Sequence, residues 1–367
     1  MTVTNQIVDW FAETTQDFDA NLEFNIVEFN DEPYFPQKAD GFTYTEETYA
    51  ACRDNTENCH FPDDVSWTKI CSDFDVCTRF NNNEFDELWV WGGGYFGYFE
   101  NNLAGEDAFI IQDDYPLENT GCIDLMPVVG LNWEEGLPNS IHSFGHRAKG
   151  AIMYSQGINQ AIWGVSQNDI SNPFNRYTHL DFQSTYDFSG CGNIHTPPNS
   201  STSYEYDSSS SVQTMCDDFI DYPALEDPVT TLRTISNCAE WGCTDLGYYR
   251  WWFQHLPHNE GLDANGKYNN WWQYFANPHY VILNDLPTPT VTEPVTTTPT
   301  ITDTPLVTAT PLVTTTATNN SETQRPVQST IPNTAFVDDK TDRIIIGALL
   351  IVVGIYFNKF KLKIEFN

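Results

Sequence analysis

Two histidines four residues apart carry the clearest chemistry in this chain. His142 and His146 lie in PNSIHSFGHRAKGAIMY (138–154), just over one helical turn apart, so on a helix both imidazoles point the same way. Ile141, Phe144, Ala148 and Ile152 form an apolar stripe beside them that would bury the helix. Imidazoles at this spacing can share one zinc or other divalent ion at about 2.0–2.1 Å. A third ligand is needed, and His195, in CGNIHTPPN and stiffened by Pro197 and Pro198, is the leading choice. Zinc peptidases of the H-E-x-x-H type carry their general base in the second position. Here that position is Ser143, so Glu134 or Glu135, just ahead of the helix, would have to serve. The plainer alternative is a pair of packing histidines hydrogen-bonded in a polar groove.

A second constellation is Glu100 with Glu134 or Glu135, each expected in a loop at the same edge of a sheet, where open α/β folds place their ligands. Two carboxylates about 5–9.5 Å apart could hydrolyse a glycosidic bond. Trp91, Tyr95, Trp133 and Trp241 would then be stacking platforms for a glycan. The alternative is that these acids are simply solvated, since the chain has so many.

The elements that must position these residues can be read from the apolar runs. Met126–Leu131 reads as a buried strand feeding a helix that starts at Pro138, where a missing N–H costs nothing. Strands are expected at 21–28, 86–91 and 107–111, and helices at 45–51 and 66–80. This alternation predicts an α/β fold, a single layered domain with a mostly parallel sheet and a loop-rich, aromatic-rich C-terminal half. Gly92-Gly93-Gly94-Tyr95-Phe96-Gly97 fits G-x-G-x-x-G, but neither a following helix nor a lysine supports a phosphate loop, and a tight turn is preferred. Asp263–Asn269 spaces its oxygens somewhat like a calcium loop, yet Asn265-Gly266 and the missing bidentate glutamate favour an ordinary turn, so calcium is not expected.

Ahead of Pro287 the chain carries 10 Lys/Arg against 44 Asp/Glu, nearly all of its net charge of −35. Such a surface repels phosphate backbones and argues against nucleic acid as a partner. All nine cysteines lie in the same region without a C-x-x-C pair, which predicts three or four disulfides in an oxidising compartment. The close pairs Cys52/Cys59, Cys71/Cys77 and Cys238/Cys243 are candidates, with one thiol left over.

The tail differs in kind. Residues 287–342 are almost wholly Thr, Pro, Val, Asn and Ser, which predicts a disordered, extended stalk. Residues 343–367 hold the apolar run 344–357 and a basic end, read as a transmembrane segment and cytoplasmic tail. Just upstream, Ile331-Pro332-Asn333-Thr334-Ala335, followed by that apolar run and basic end, resembles the LPxTG sorting signal of Gram-positive-type surface proteins, with Ile for Leu and Ala for Gly. The resemblance implies that a sortase cleaves after Thr334 and links the protein to the cell envelope. No signal peptide opens the chain, so 1–286 is expected to be an extracellular domain lacking its true N-terminus. The ordered series WGGGYFGYFE, VVGLNWEEG, HSFGHRAKG, CGNIHTPPN, NCAEWGC and NNWWQYF also resembles a family of secreted bacterial proteins without an assigned activity. Three classes of function remain: a surface-anchored metal-dependent hydrolase, a glycan-directed hydrolase with paired carboxylates, and a non-enzymatic carbohydrate-binding or adhesion module.

Overall fold

Buried aromatic rings decide the packing order of this chain. The computed structural model describes residues 2–16, 18, 22–112, 116, 117, 119–159, 169–226, 229–283 and the backbone of 348–357. Helix α1 (Val3–Thr15), capped by the Thr2 hydroxyl, buries Ile7, Trp10 and Phe11. Strand β1 (Leu22–Glu32) is followed by short helices α2 (Glu46–Asp54), α3 (Trp67–Asp73) and α4 (Val76–Asn81). Strands β2 (Glu87–Gly92), β3 (Asn101–Ala104) and β4 (Met126–Asn132) lead into the long helix α5 (Leu137–Ser155). The second half contributes α6 (Pro173–Thr178), the paired strands β5 (Val212–Thr214) and β6 (Arg233–Ile235), and helices α7 (Asp245–Gln254), α8 (Trp272–Ala276) and α9 (His279–Leu283). Strand β7 (Ala348–Phe357) completes the main sheet.

Phe144, on the expected stripe of α5, meets Phe11 at 5.2 Å, Trp89 of β2 at 5.2 Å and Phe275 of α8 at 6.3 Å between ring centroids. Each such ring contributes about 1.5–3 kcal/mol by leaving water. On the same helix Arg147 is fully buried, with its Nη1 2.6 Å from Glu87 Oε2 and its guanidinium 4.8 Å from the Phe275 ring centroid. Ring packing and a buried ion pair therefore fix α5 against β2 and α8, and with it the histidines.

The fold is mixed α/β, but its sheet is not mostly parallel. The order is β1-β7-β2-β4-β3, and among these only β2 and β4 run parallel. No helix lies between β3 and β4 among the described residues, so the chain doubles back instead of crossing over. The expected strand at 107–111 is absent. Ile111 is buried, but its carbonyl faces Gly150 of α5 so closely that a Cβ there would clash. The single helix expected over 66–80 is two, broken where Asp75 takes a left-handed φ of 50°.

Four disulfides close the domain: Cys52–Cys59, Cys77–Cys122, Cys191–Cys216 and Cys238–Cys243. Two of the anticipated pairs form, while Cys77 bonds Cys122 and leaves Cys71 as a buried thiol. The break at Asp75 separates Cys71 and Cys77 onto different helices. The chain divides into a unit of 1–287 with 345–367 and a unit of 288–344. The stalk and the sorting-like segment with Thr334 lie outside the described residues. Ten residues of the expected transmembrane run, Ala348–Phe357, have an extended backbone paired antiparallel with β1 and β2. Among the described residues no helix is long and apolar enough to cross a membrane.

Candidate metal centre

Helix α5 leaves β4 through the turn 133–136 and presents His142 and His146 from successive turns, edge to face. The third imidazole arrives from a loop that is held unusually firmly. Cys191 is bonded to Cys216, and Gly192 takes φ 74° where a Cβ would clash with the Thr196 carbonyl. Asn193 Oδ1 accepts from the His195 and Thr196 amides at 2.9 and 3.1 Å. The Tyr248 hydroxyl lies 2.9–3.2 Å from the carbonyls of Cys191, Asn193 and Thr196, and Trp252 Nε1 donates to the Gly192 carbonyl. The loop can approach α5 because residue 145 is glycine: a Cβ there would run into Ile194.

The result is a triangle of Nε2 atoms, with His142–His146 at 3.0 Å, His142–His195 at 3.1 Å and His146–His195 at 3.0 Å. Its centre is about 1.75 Å from each corner, close enough that His142, His146 and His195 could together hold one ion at the usual distance of about 2.0–2.1 Å. Three protein ligands are the number that sites activating water use. The charge state fits. Burial first, and then the neighbouring His195, pushes His142 down to about 3. Burial likewise drives His146 well below its ordinary value. Neutral imidazoles are the form that binds a cation.

Glu100 stands beside the triangle, its Oε2 3.8 Å from His146 Nε2. It is held from behind: Gln112 Nε2 donates to Glu100 Oε2 at 2.5 Å, and Asn101 Nδ2 donates both to Gln112 Oε1 at 3.0 Å and to the Ser143 carbonyl of α5 at 2.6 Å. The carboxylate is thus tied to the helix that carries two of the histidines. On the other flank is Tyr204, 57% exposed with φ 67°, whose ring lies 5.0 Å from His195 and 5.8 Å from His142 between centroids. Its amide donates to the His195 carbonyl at 2.6 Å. An exposed aromatic residue held in the left-handed region beside convergent ligands has the character of a functional position.

The other candidates are placed differently. The parallel pairing of β2 with β4 brings Gly92 opposite Asn132, so the loops with Glu100, Glu134 and Glu135 do leave the same edge. Glu134, however, forms an ion pair with Arg53 at 2.9 Å. Burial raises the Glu135 carboxyl above its ordinary value, offset in part by hydrogen bonds from Asn139 and Asn132. Trp91 and Trp241 are 3% and 5% exposed inside the core, which leaves no ring face for a sugar. Trp133 packs edge-on against Phe96, and Tyr95 uses its backbone, accepting Lys38 Nζ at its carbonyl. Asp263 accepts from the Asn265 and Lys267 amides, closing a tight turn at that site. A cavity of about 560 Å³ bounded by Phe35, Ile70, Phe74, Val90 and Tyr98 contains none of the candidate residues.

Sequence reasoning missed Gln112, Asn101, Tyr204, Tyr206 and Tyr249. Only the aromatic cluster GYYRWWFQH hinted at the last of these. Comparison of the chain with protein-family models, curated protein sequences and solved structures returned no match.

Proposed function

We propose that this protein is a metal-dependent hydrolase whose ion, with zinc the first candidate, is held by His142, His146 and His195. The observation carrying this reading is the convergence of three imidazoles with Nε2 atoms 3.0–3.1 Å apart in a largely buried setting, two of them, His142 and His146, kept neutral by burial. Facing lone pairs repel at that range unless a hydrogen or a cation sits between them, and burial disfavours the charged imidazolium that an added proton would create at His142 or His146. An ion bound there supplies Lewis-acid activation of water, lowering its pKa to about 7 in zinc sites of this kind. Glu100 accepts the proton, since its carboxylate is half-exposed at the rim and oriented by Gln112. Tyr204 borders the same opening and orients the substrate. Four disulfides and the Thr/Pro-rich composition of 287–342 support a location outside the cell, with the tail as the attachment.

Elemental analysis of the purified full chain tests the reading without knowledge of a substrate. One divalent ion per chain is expected, lost in His146→Ala and His195→Ala. Hydrolysis of p-nitrophenyl acetate and bis-p-nitrophenyl phosphate by the loaded protein, and its loss in Glu100→Gln, tests the chemistry. An ion-free protein that gains no zinc on titration would remove the proposal.

A further inference from the structure

His142 directs Nε2 into the triangle and Nδ1 away from it, 3.2 Å from the Tyr249 hydroxyl. Tyr249 donates to the Tyr206 hydroxyl at 3.0 Å, and Tyr206 donates to the Ile194 carbonyl at 2.9 Å. A phenol has one proton to give and a carbonyl oxygen has none, so the far end of this chain sets its direction. The proton of Tyr206 goes to Ile194. The Tyr206 oxygen then accepts from Tyr249, whose only proton is now used. Towards His142, Tyr249 can therefore only accept, which requires the hydrogen on Nδ1 and leaves the lone pair on Nε2.

We infer that Tyr206 and Tyr249 are positioning residues that lock His142 in the Nδ1-protonated tautomer, so that its Nε2 is held ready as a ligand. The relay is built into the core: Tyr206, Tyr249 and Ile194 are 8%, 3% and 1% exposed. Trp241 Nε1 donates to the Tyr206 carbonyl at 2.6 Å, and Tyr206 stacks on Tyr248 at 5.4 Å between centroids. The far end also matters, because Ile194 directly precedes His195. One chain of hydroxyls thus orients the first ligand and is anchored on the backbone that delivers the third. Partners of this kind fix a histidine's tautomer, and their loss typically costs about 10–100-fold in metal affinity.

The purpose of the relay rests on the metal proposal, but the tautomer belongs to the ion-free protein and can be measured separately. Nitrogen-15 NMR of histidines in the full chain, stripped of metal by a chelator, should show His142 with hydrogen on Nδ1. In Tyr249→Phe the acceptor disappears, and the Nε2-protonated form should gain population while zinc affinity falls about 10–100-fold. Tyr206→Phe is the sharper variant. It frees the Tyr249 proton to turn towards His142, which should drive the imidazole hydrogen to Nε2 and weaken zinc at least as much. A purely structural role would weaken zinc with no change of tautomer, and that result overturns the inference. So does wild-type His142 protonated on Nε2. If wild type shows the Nδ1 form but takes up no zinc, the relay stands and the metal proposal fails. Should either variant fail to fold, the wild-type spectrum still decides.

Discussion

Gly145 and Ile194 are in contact across the gap between α5 and the His195 loop, with no space for even a methyl group on the glycine. Gly145→Ala should push Ile194, and with it His195, away from α5. Overpacking of a buried contact costs about 1–3 kcal/mol. The expected outcome is a lower urea midpoint together with weaker zinc binding, measured by competition with a chromophoric chelator. Wild-type zinc affinity in this variant would show that the third histidine does not depend on the contact.

Tyr204 pays in backbone strain for its place at the rim. A left-handed non-glycine residue costs about 1–2 kcal/mol, and more than half of this side chain is in water. Tyr204→Gly should hold or raise the thermal midpoint while reducing turnover of the chromogenic esters. A fall in both would mean that the ring mainly serves packing.

Arg147 of α5 is the charged partner of buried Glu87 among the described residues, and the Trp89 indole, uncharged, donates to the same carboxylate. Arg147→Ala leaves a buried carboxylate unpaired and should cost about 3–5 kcal/mol. The double variant Glu87→Gln with Arg147→Met should cost less than the single one, by equilibrium urea unfolding. Equal losses would show that the charge pairing itself matters little.

If the triangle holds an ion as proposed, removing it should destabilise the domain. A ligand at about 100 times its dissociation constant adds about 2.7 kcal/mol, so stripping by a chelator should lower the midpoint by several degrees, restored by zinc. His195→Ala should be insensitive to chelator. An identical response in wild type and variant would point to a different binding site.

Asp217 predicts an acid-limb effect. The His255 imidazole, 3.6 Å away, and then the Arg233 guanidinium, which donates to it at 2.6 Å, lower its carboxyl to about 2 from an ordinary 3.8. Because the folded value is the lower one, the stabilisation is fully present above the unfolded pKa and is lost as pH falls through about 2. Asp217→Asn should flatten the dependence of stability on pH between about 4 and 2. An unchanged slope there would assign the acid limb to other carboxylates.

The most legible parts of the sequence were those governed by local period. The four-residue spacing of His142 and His146 and the apolar stripe through Phe144 each need only helix geometry to be read. β2 and β4 were readable as runs without polar interruption. What failed depended on distant partners. β3 is a four-residue strand containing two asparagines, and its register comes from β4 rather than from its own residues. Cys77 found Cys122 across many residues while a nearer cysteine stood by. Trp91 and Trp241 suggested sugar platforms by type, yet the core took them because large rings bury the most area. Gln112 carries no local pattern at all, and Tyr249 only its membership of an aromatic cluster: each becomes meaningful only when the fold sets it behind a ligand.

The Cys191–Cys216 bridge closes the segment from which His195 emerges, and this joins two equilibria. If the oxidised chain binds the ion more tightly than the reduced one, linkage requires the bound ion to protect the bridge from reduction by the same factor. Each tenfold of preference corresponds to about 30 mV in the potential of this two-electron couple. The occupancy of the triangle and the redox state of the bridge would then be coupled, a reducing environment weakening the hold on an ion and a scarcity of the ion making the bridge easier to reduce.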